Sequence, residues 1–357
     1  MLAERKELES MKNDEVLSEW KEQGELDKKS AKKLVWRTRL SISFSVLRTL
    51  IILLLLYCIY FIPVSIFYDM SDKGAEFDRL VTTIIETRYP GIAVEKTDNS
   101  AEISPLLTQE TKQTIYKKIG DWEMVVGEVV AKKRLFGDVQ YTLNFNNRYL
   151  NGYENLNYAI APELIGEELK KGHSGNNHSI EEQLNMIEDG YVVQLQFSTI
   201  EAMAPNELLE MLDKYDILIN QMPVYGGEIS EVDVGYARAG QITFASSLML
   251  RPYVEYTDDH KVSSYFFSLY DDHSLQTSID QFMSDLEWLV DQGDYYDRDI
   301  DVQRLDYLKE NGIQVYGATI TGPIREVEQL LEEELFYQFH IGGIEVWKWD
   351  EKNSFND

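Results

Sequence analysis

The chain has 357 residues, with 34 Lys+Arg against 62 Asp+Glu and a formal net charge of −28. Apolar residues at 44% and aromatics at 12% exclude global disorder, and so negative a charge excludes a whole-chain grip on phosphate, so no direct nucleic-acid partner is expected. The single cysteine, Cys58, excludes an intramolecular disulfide framework and a thiolate-rich zinc site.

The charge is unevenly spread. Residues 1–48 carry 11 basic and 9 acidic side chains, and the remainder carries 23 and 53. Residues 1–27 lack proline, are rich in Glu, Lys and Leu, and read as helical. Their apolar positions Leu8, Met11, Val16, Leu17 and Trp20 spread widely around a 3.6-residue helix, so the amphipathic signal is weak. Two readings stand side by side: a solvated leader that only sets topology, or a helix that docks on a partner through those five side chains. From Lys28 to Arg48 seven basic residues occur with no acid among them.

Between Thr49 and Tyr68 there is no charged residue, and most positions are Leu, Ile, Val, Tyr or Phe. A helix of about 20 such residues crosses a bilayer core, so this run is expected to span the membrane, with the lipid bilayer as a partner. Its 48 preceding residues and the lack of an A-x-A pattern after it favour a retained signal anchor over a cleaved leader. The basic stretch before it outweighs Lys73, Arg79 and Arg88 after it, which places the N-terminus in the cytoplasm and the C-terminal part outside.

Beyond the anchor, Phe77, Leu80, Val81, Ile84 and Ile85 fall on one arc of a helix that Tyr89-Pro90 stops. Glu123–Ala131 and Gly137–Phe145 read as a β-hairpin, Asn146–Tyr158 as loop, and Lys170–Ser179 as a module boundary. Then Tyr191–Thr199 is a strand, Pro205 opens a helix, and Ile217–Val224 is a strand. The order recurs: strand Ile313–Thr321, a helix started by Pro323 and carrying Val327, Leu330, Leu331 and Leu335, and strand Gly343–Trp349. A helix around Leu275, Ile279, Phe282, Met283, Leu286 and Leu289 lies between the two units. The expected fold class is α+β: one transmembrane helix, then extracytoplasmic α+β domains, the last a split β-α-β, ferredoxin-like module with a helical insertion. The expected organisation is a tail at 1–48, the anchor at 49–68, an outer module at 69–169, and a C-terminal domain at 180–350.

Candidates for chemistry fail on spacing. His173 and His178 share a Gly/Asn loop without the three or four convergent ligands that zinc needs. Aligning Asp297, Asp299 and Asp301 with an EF-hand puts Val302 where glycine is required and Leu308 where glutamate is required. These acids read instead as caps of a helix beginning near Ile300. Gly172-His173-Ser174-Gly175-Asn176 lacks the last glycine of the G-x-S-x-G elbow, and there is no Walker A or G-x-G-x-x-G run. No enzyme activity, metal or cofactor is expected.

The most distinctive stretch runs from Asn311 to Pro323, "NGIQVYGATITGP", followed by a helix and the terminal "VWKW". Its marked positions are Gly312, Tyr316, Gly317, Thr321, Gly322, Pro323, Trp347 and Trp349. This pattern resembles the C-terminal domain of the sigma factor regulator family, the membrane-anchored anti-sigma factors of Gram-positive bacteria. Tyr191–Leu212 and the anchor followed by Phe77–Pro90 are similar to other parts of that family, so the likeness covers roughly 30–350. The resemblance implies a cytoplasmic tail that sequesters an extracytoplasmic-function sigma factor. It also implies an outer domain that senses or is held by an envelope partner, and a small multi-pass membrane protein as a companion. Other anti-sigma factors use a zinc-associated His-x-x-x-Cys-x-x-Cys tail; residues 1–48 hold neither His nor Cys, so a metal-free helix is implied. The competing reading is an extracytoplasmic ligand- or protein-binding scaffold with the tail as mere anchor.

Overall fold

The computed structural model describes residues 28–97, 101–104, 106, 108–134, 137–146, 158–165, 177–227, 236–239, 242–245, 248–293 and 295–349. The chain forms two compact units, residues 1–67 and 68–357. Leu8, Met11, Val16, Leu17 and Trp20 lie outside the described residues.

In the first unit, helix α1 (Lys28–Met70) begins well before the uncharged run and passes through Arg48 and Pro63 without a break. At about 1.5 Å rise per residue its 43 residues exceed a bilayer core of about 30 Å. By length and composition, Lys32–Tyr68 is the stretch able to cross a membrane among the described residues. Its apolar side chains are exposed along its length; Leu54 is 61% and Ile59 63% accessible. Such a surface is costly in water and costs nothing against lipid chains.

The second unit is built on two sheets and a helix. Helix α2 (Lys73–Arg88) starts after two residues, Asp72 taking a left-handed φ of +53°. The predicted arc Phe77, Leu80, Val81, Ile84 and Ile85 is buried. The opposite face is buried as well, taking in Asp78, Thr82, Thr83, Glu86 and Thr87.

The first sheet has strands β1 (Ala93–Val94), β2 (Glu102–Ile103), β3 (Thr108–Ile119), β4 (Trp122–Arg134) and β5 (Val139–Phe145), with β1 and β2 both on one side of β3. The predicted hairpin is β4–β5, with Val129 opposite Leu143. Strand β3 escapes sequence reading because its centre, Gln109–Lys118, is mostly polar. It pairs along its whole length with β4, and Thr111, Gln113 and Lys117 are buried by neighbours distant in sequence.

Helix α3 (Asn177–Asn185) takes the last residues of the expected linker, then β6 (Tyr191–Met203), α4 (Pro205–Leu212) and β7 (Leu218–Val224) follow as predicted. The stretch before the second β-α-β segment holds short strands β8 (Tyr236–Ala239), β9 (Ile242–Ala245), β10 (Leu248–Leu250), β11 (Val254–Tyr256) and β12 (Val262–Tyr265), besides helices α5 (Asp272–Asp291) and α6 (Arg298–Asn311). Asp271 caps α5, accepting from the Ser274 amide at 2.7 Å. The second β-α-β segment consists of β13 (Val315–Pro323), α7 (Ile324–Gln329), a 3-10 turn Leu330–Glu332 and β14 (Phe336–Val346). The last strand therefore lies earlier than Gly343–Trp349, and the last helix is too short to carry Leu335.

The second sheet has the order β10-β7-β13-β6-β14, all antiparallel. Without the edge strand β10, this is the strand order of a split β-α-β, so the ferredoxin-like α+β expectation is met. Val193, Leu195 and Phe197 on β6 join Leu208, Val327, Leu330, Phe336 and Phe339 in the main core, which also includes Ile84, Ile115 and Val129 from α2 and the first sheet. One contiguous core thus spans both sheets.

Gly317 shows how tightly the central strands are built. Register slips between Val315 and Gly317, and a Cβ at Gly317 would run into the Phe197 carbonyl oxygen of the paired strand. Gly317→Ala is expected to destabilise this second compact unit by about 1–3 kcal/mol through overpacking, read as a lowered unfolding midpoint in a denaturant titration; an unchanged midpoint would show that the strand pair opens freely.

Candidate functional site

Helix α2 is the element around which the polar interior of the second unit is organised. Asp78 is held on the first sheet: it accepts from the Ala101 amide at 3.0 Å, from Gln113 Nε2 at 3.3 Å and from Thr111 Oγ1. Burial raises its carboxyl pKa, and those hydrogen bonds work in the other direction. Thr82 Oγ1 donates to Gln113 Oε1 at 3.3 Å.

Glu86 lies between two cations from different parts of the chain, Lys96 Nζ at 2.7 Å and Arg251 Nη1 at 2.8 Å. Arg251 reaches on to Asp285 of α5 at 2.8 Å, and Asp285 binds Arg79 of α2 at 3.1 Å. Burial works against the charge on Glu86, but Lys96 and Arg251 outweigh it and hold the carboxyl below its ordinary value. The Arg79 guanidinium is stacked between the rings of Tyr256, 4.4 Å away, and Trp288, 4.2 Å away. At the end of α2, Arg88 donates to Asp301 of α6 at 2.6 Å and to the Tyr296 carbonyl at 2.7 Å. Tyr295 donates to the same carboxylate at 3.0 Å.

The acids around Ile300 are therefore not a set of caps. Asp297, at the start of α6, has a left-handed φ of +66° and makes no side-chain cap bond, while Asp301 is fully buried against Arg88. An ion pair to a helix over 200 residues away leaves no mark in the local spacing.

A polar seam fastens the turn after α2 to the second sheet. Gly91, at φ +69°, donates its amide to Gln221 Oε1 at 2.7 Å, and Gln221 Nε2 donates to the carbonyls of Ile92 at 3.0 Å and Glu86 at 3.3 Å. Gln194 Nε2 donates to the carbonyls of Lys118 at 3.1 Å and Gly91 at 3.3 Å. Lys117 Nζ donates to the Gly342 carbonyl at 2.9 Å, and the Gly120 amide to Thr321 Oγ1 at 2.5 Å. Burial lowers the pKa of both Lys117 and Lys118 to about 8.

The motif residues mostly hold this framework. Gly312 ends α6 at φ +77°. Tyr316 is fully buried edge-on to Tyr158, and Gly322 packs so closely on Ile217 that a Cβ would approach it at 2.7 Å. Thr321 bridges Gly120 and the Val193 carbonyl, and Pro323 pairs with Val192 as the strand turns into α7. Trp349 is buried and donates to Asp216 Oδ2 at 2.8 Å, whereas Trp347 is 53% exposed. Sequence reasoning singled out these positions but none of Glu86, Arg251, Asp285, Gln194 or Gln221. The glutamines alternate with apolar residues, and alternation reads as a solvent face.

Two family models match the chain in register with this architecture. "Sigma factor regulator N-terminal" covers residues 28–124, from α1 into β4, and "Sigma factor regulator C-terminal" covers 184–343, from α3 into β14. The chain belongs to the sigma factor regulator family. Among curated proteins, the Probable anti-sigma-M factor YhdL of Bacillus subtilis (strain 168) is 38% identical over 53 residues, which is 15% of this chain and 15% of that protein. No solved structure matches. The family match takes in α2, the ion pairs of Glu86 and Arg251, and Gly312–Pro323; it stops short of Trp347 and Trp349 and leaves residues 1–27 outside. The apolar helix and the family together fit a single-pass membrane protein.

Two measurements test the buried charges. Arg251→Met removes the cation that Glu86 and Asp285 share, leaving them Lys96 and Arg79 alone, and should cost about 1.5–3 kcal/mol of unfolding free energy, while the exposed Lys132→Met should cost under about 1 kcal/mol. Glu86→Gln should be less stable than the parent at neutral pH. Because the folded pKa of Glu86 lies below the ordinary 4.5, its contribution is present above that value and is lost as pH falls through the folded value. The gap in melting temperature between parent and Glu86→Gln should therefore narrow on acidification below pH 4.5; a constant gap would show that the carboxylate is not stabilised by its cations.

Proposed function

We propose that the protein is a membrane-anchored anti-sigma factor that sequesters an extracytoplasmic-function sigma factor through its cytoplasmic tail and releases it on an envelope signal. The observation that carries the reading is the pair of sigma factor regulator matches on either side of one sequence-continuous architecture, beginning at the basic end of an apolar helix. The name of the Bacillus relative, a probable anti-sigma-M factor, points the same way. The lysines and arginines from Lys28 to Arg48 favour a cytoplasmic N-terminus, with residues 69–169 and 180–350 outside.

Sequestration requires binding and no bond-making chemistry. A tail helix presenting Leu8, Met11, Val16, Leu17 and Trp20 covers the sigma surface that meets core polymerase, and tethering raises its local concentration at the membrane. Release requires either a ligand or a small multi-pass membrane companion that shifts a two-state equilibrium through its differential affinity, or a protease that cuts the anchor. The firm hold of the outer unit on α2, the helix that follows the anchor after two residues, supports transmission through that helix.

Leu17→Asp with Trp20→Asp should raise transcription from promoters of the cognate sigma factor in cells, and should abolish co-purification of the full-length protein with that factor. If transcription is unchanged while the variant is present at parental levels in the membrane, the tail is only an anchor and the outer domain works as a scaffold or sensor.

A further inference from the structure

The buried charges form a chain that begins and ends on a cation: Lys96, Glu86, Arg251, Asp285, Arg79. Glu95, next to Lys96, adds a carboxylate that, against the opposing effect of burial, Lys96 helps hold below its ordinary pKa. Cations gathered at the wall of a low-dielectric interior attract a further anion that can reach them. The two terminal cations, Lys96 and Arg79, line the same cavity of about 260 Å³. Its opposite wall is the β11–β12 hairpin, which contributes Lys261 and His260.

The cavity is held in shape. Arg79 is fixed by its two aromatic neighbours and by Asp285, and its Nη1 lies 3.4 Å from His260 Nδ1. His260 sits at the tip of the hairpin with φ +62°, its amide donating to the Thr257 carbonyl at 2.9 Å. Lys261 is paired with Asp259 of its own hairpin, at the surface. The acid lining the cavity is Asp78. Both of its oxygens already accept hydrogen bonds, from Ala101, Gln113 and Thr111 on the first-sheet side.

We propose that this cavity is an anion site that takes a phosphate group, with Arg79, Lys96 and Lys261 as its three cationic contacts. The cations come from three separate segments and approach from different directions, which suits a tetrahedral group with several acceptor oxygens better than a planar carboxylate, for which one arginine fork suffices. A bound phosphate places its negative charge beside both terminal cations and ties the β11–β12 hairpin to α2. The inference stands on the outer unit alone and holds whether or not the tail binds a sigma factor.

The test is calorimetric titration of the full-length protein in detergent, at constant ionic strength set with chloride, with inorganic phosphate in one arm and soluble short-chain phosphatidic acid in the other. Saturable one-site binding is expected in at least one arm; the tighter arm identifies free phosphate or a lipid headgroup as the source. Lys261→Ala, on an exposed hairpin and safe for folding, should weaken binding about fivefold. Lys348→Ala removes the same charge away from the cavity and should leave the affinity unchanged. Absence of saturable heat in both arms, or equal weakening by the two variants, overturns the proposal.

Discussion

Helix α2 is buried on every side yet carries Asp78, Arg79, Glu86 and Arg88, and this condition shapes the rest of the unit formed by residues 68–357. A charged helix can lie in an interior only where each charge meets a partner, because an unpaired buried ion costs far more than the net stability of a domain allows. The partners come from everywhere: Gln113 and Thr111 from the first sheet, Lys96 from the turn after β1, Arg251 from the end of β10, Asp285 from α5, Asp301 from α6. The insertion between the two β-α-β units is therefore not an ornament on a ferredoxin-like core. It supplies the counter-charges that let α2 be buried.

The same logic applies to the second sheet. The face with Val193, Leu195 and Phe197 packs on helices by the ordinary hydrophobic rule. The other face offers Gln194, Gln221 and Thr321, whose amides and hydroxyl satisfy backbone groups of the Tyr89–Ile92 turn and the β3–β4 turn. Those turns have carbonyls and amides that no ladder satisfies, and side-chain amides, with a donor and an acceptor each, are suited to meet both. The two sheets thus join through hydrogen bonds at one layer and apolar packing at the next.

Much of the local structure was legible. The arc of α2, the β4–β5 hairpin, β6, α4, β7, α5 and β13 each had a period or a proline that named them, and the motif from Gly312 to Pro323 led to the family. Strand β3 was hidden because its buried face carries Thr111, Gln113 and Lys117, which are polar in any local window. The last strand was placed too late because Val346-Trp347-Lys348-Trp349 alternates like a strand, while the pairing with β6 ends at Val346. The buried ion pairs were invisible for a different reason: Glu86 and Arg251 are 165 residues apart, and no spacing rule spans that distance.

By itself the sequence determined what depends on composition and near neighbours: the apolar anchor, the sign of the charge on each side of it, the periodic helices and strands, and the glycines and proline of the C-terminal motif. The tertiary structure alone decided which polar residues are interior. Alternating or helical periodicity says that two faces differ, but whether the polar face meets water or a partner depends on what the rest of the chain brings against it. For Glu86, Gln194 and Gln221 it brings cations and backbone groups over 70 residues away in most cases, at hydrogen-bonding distance, and that is settled only when the chain has folded.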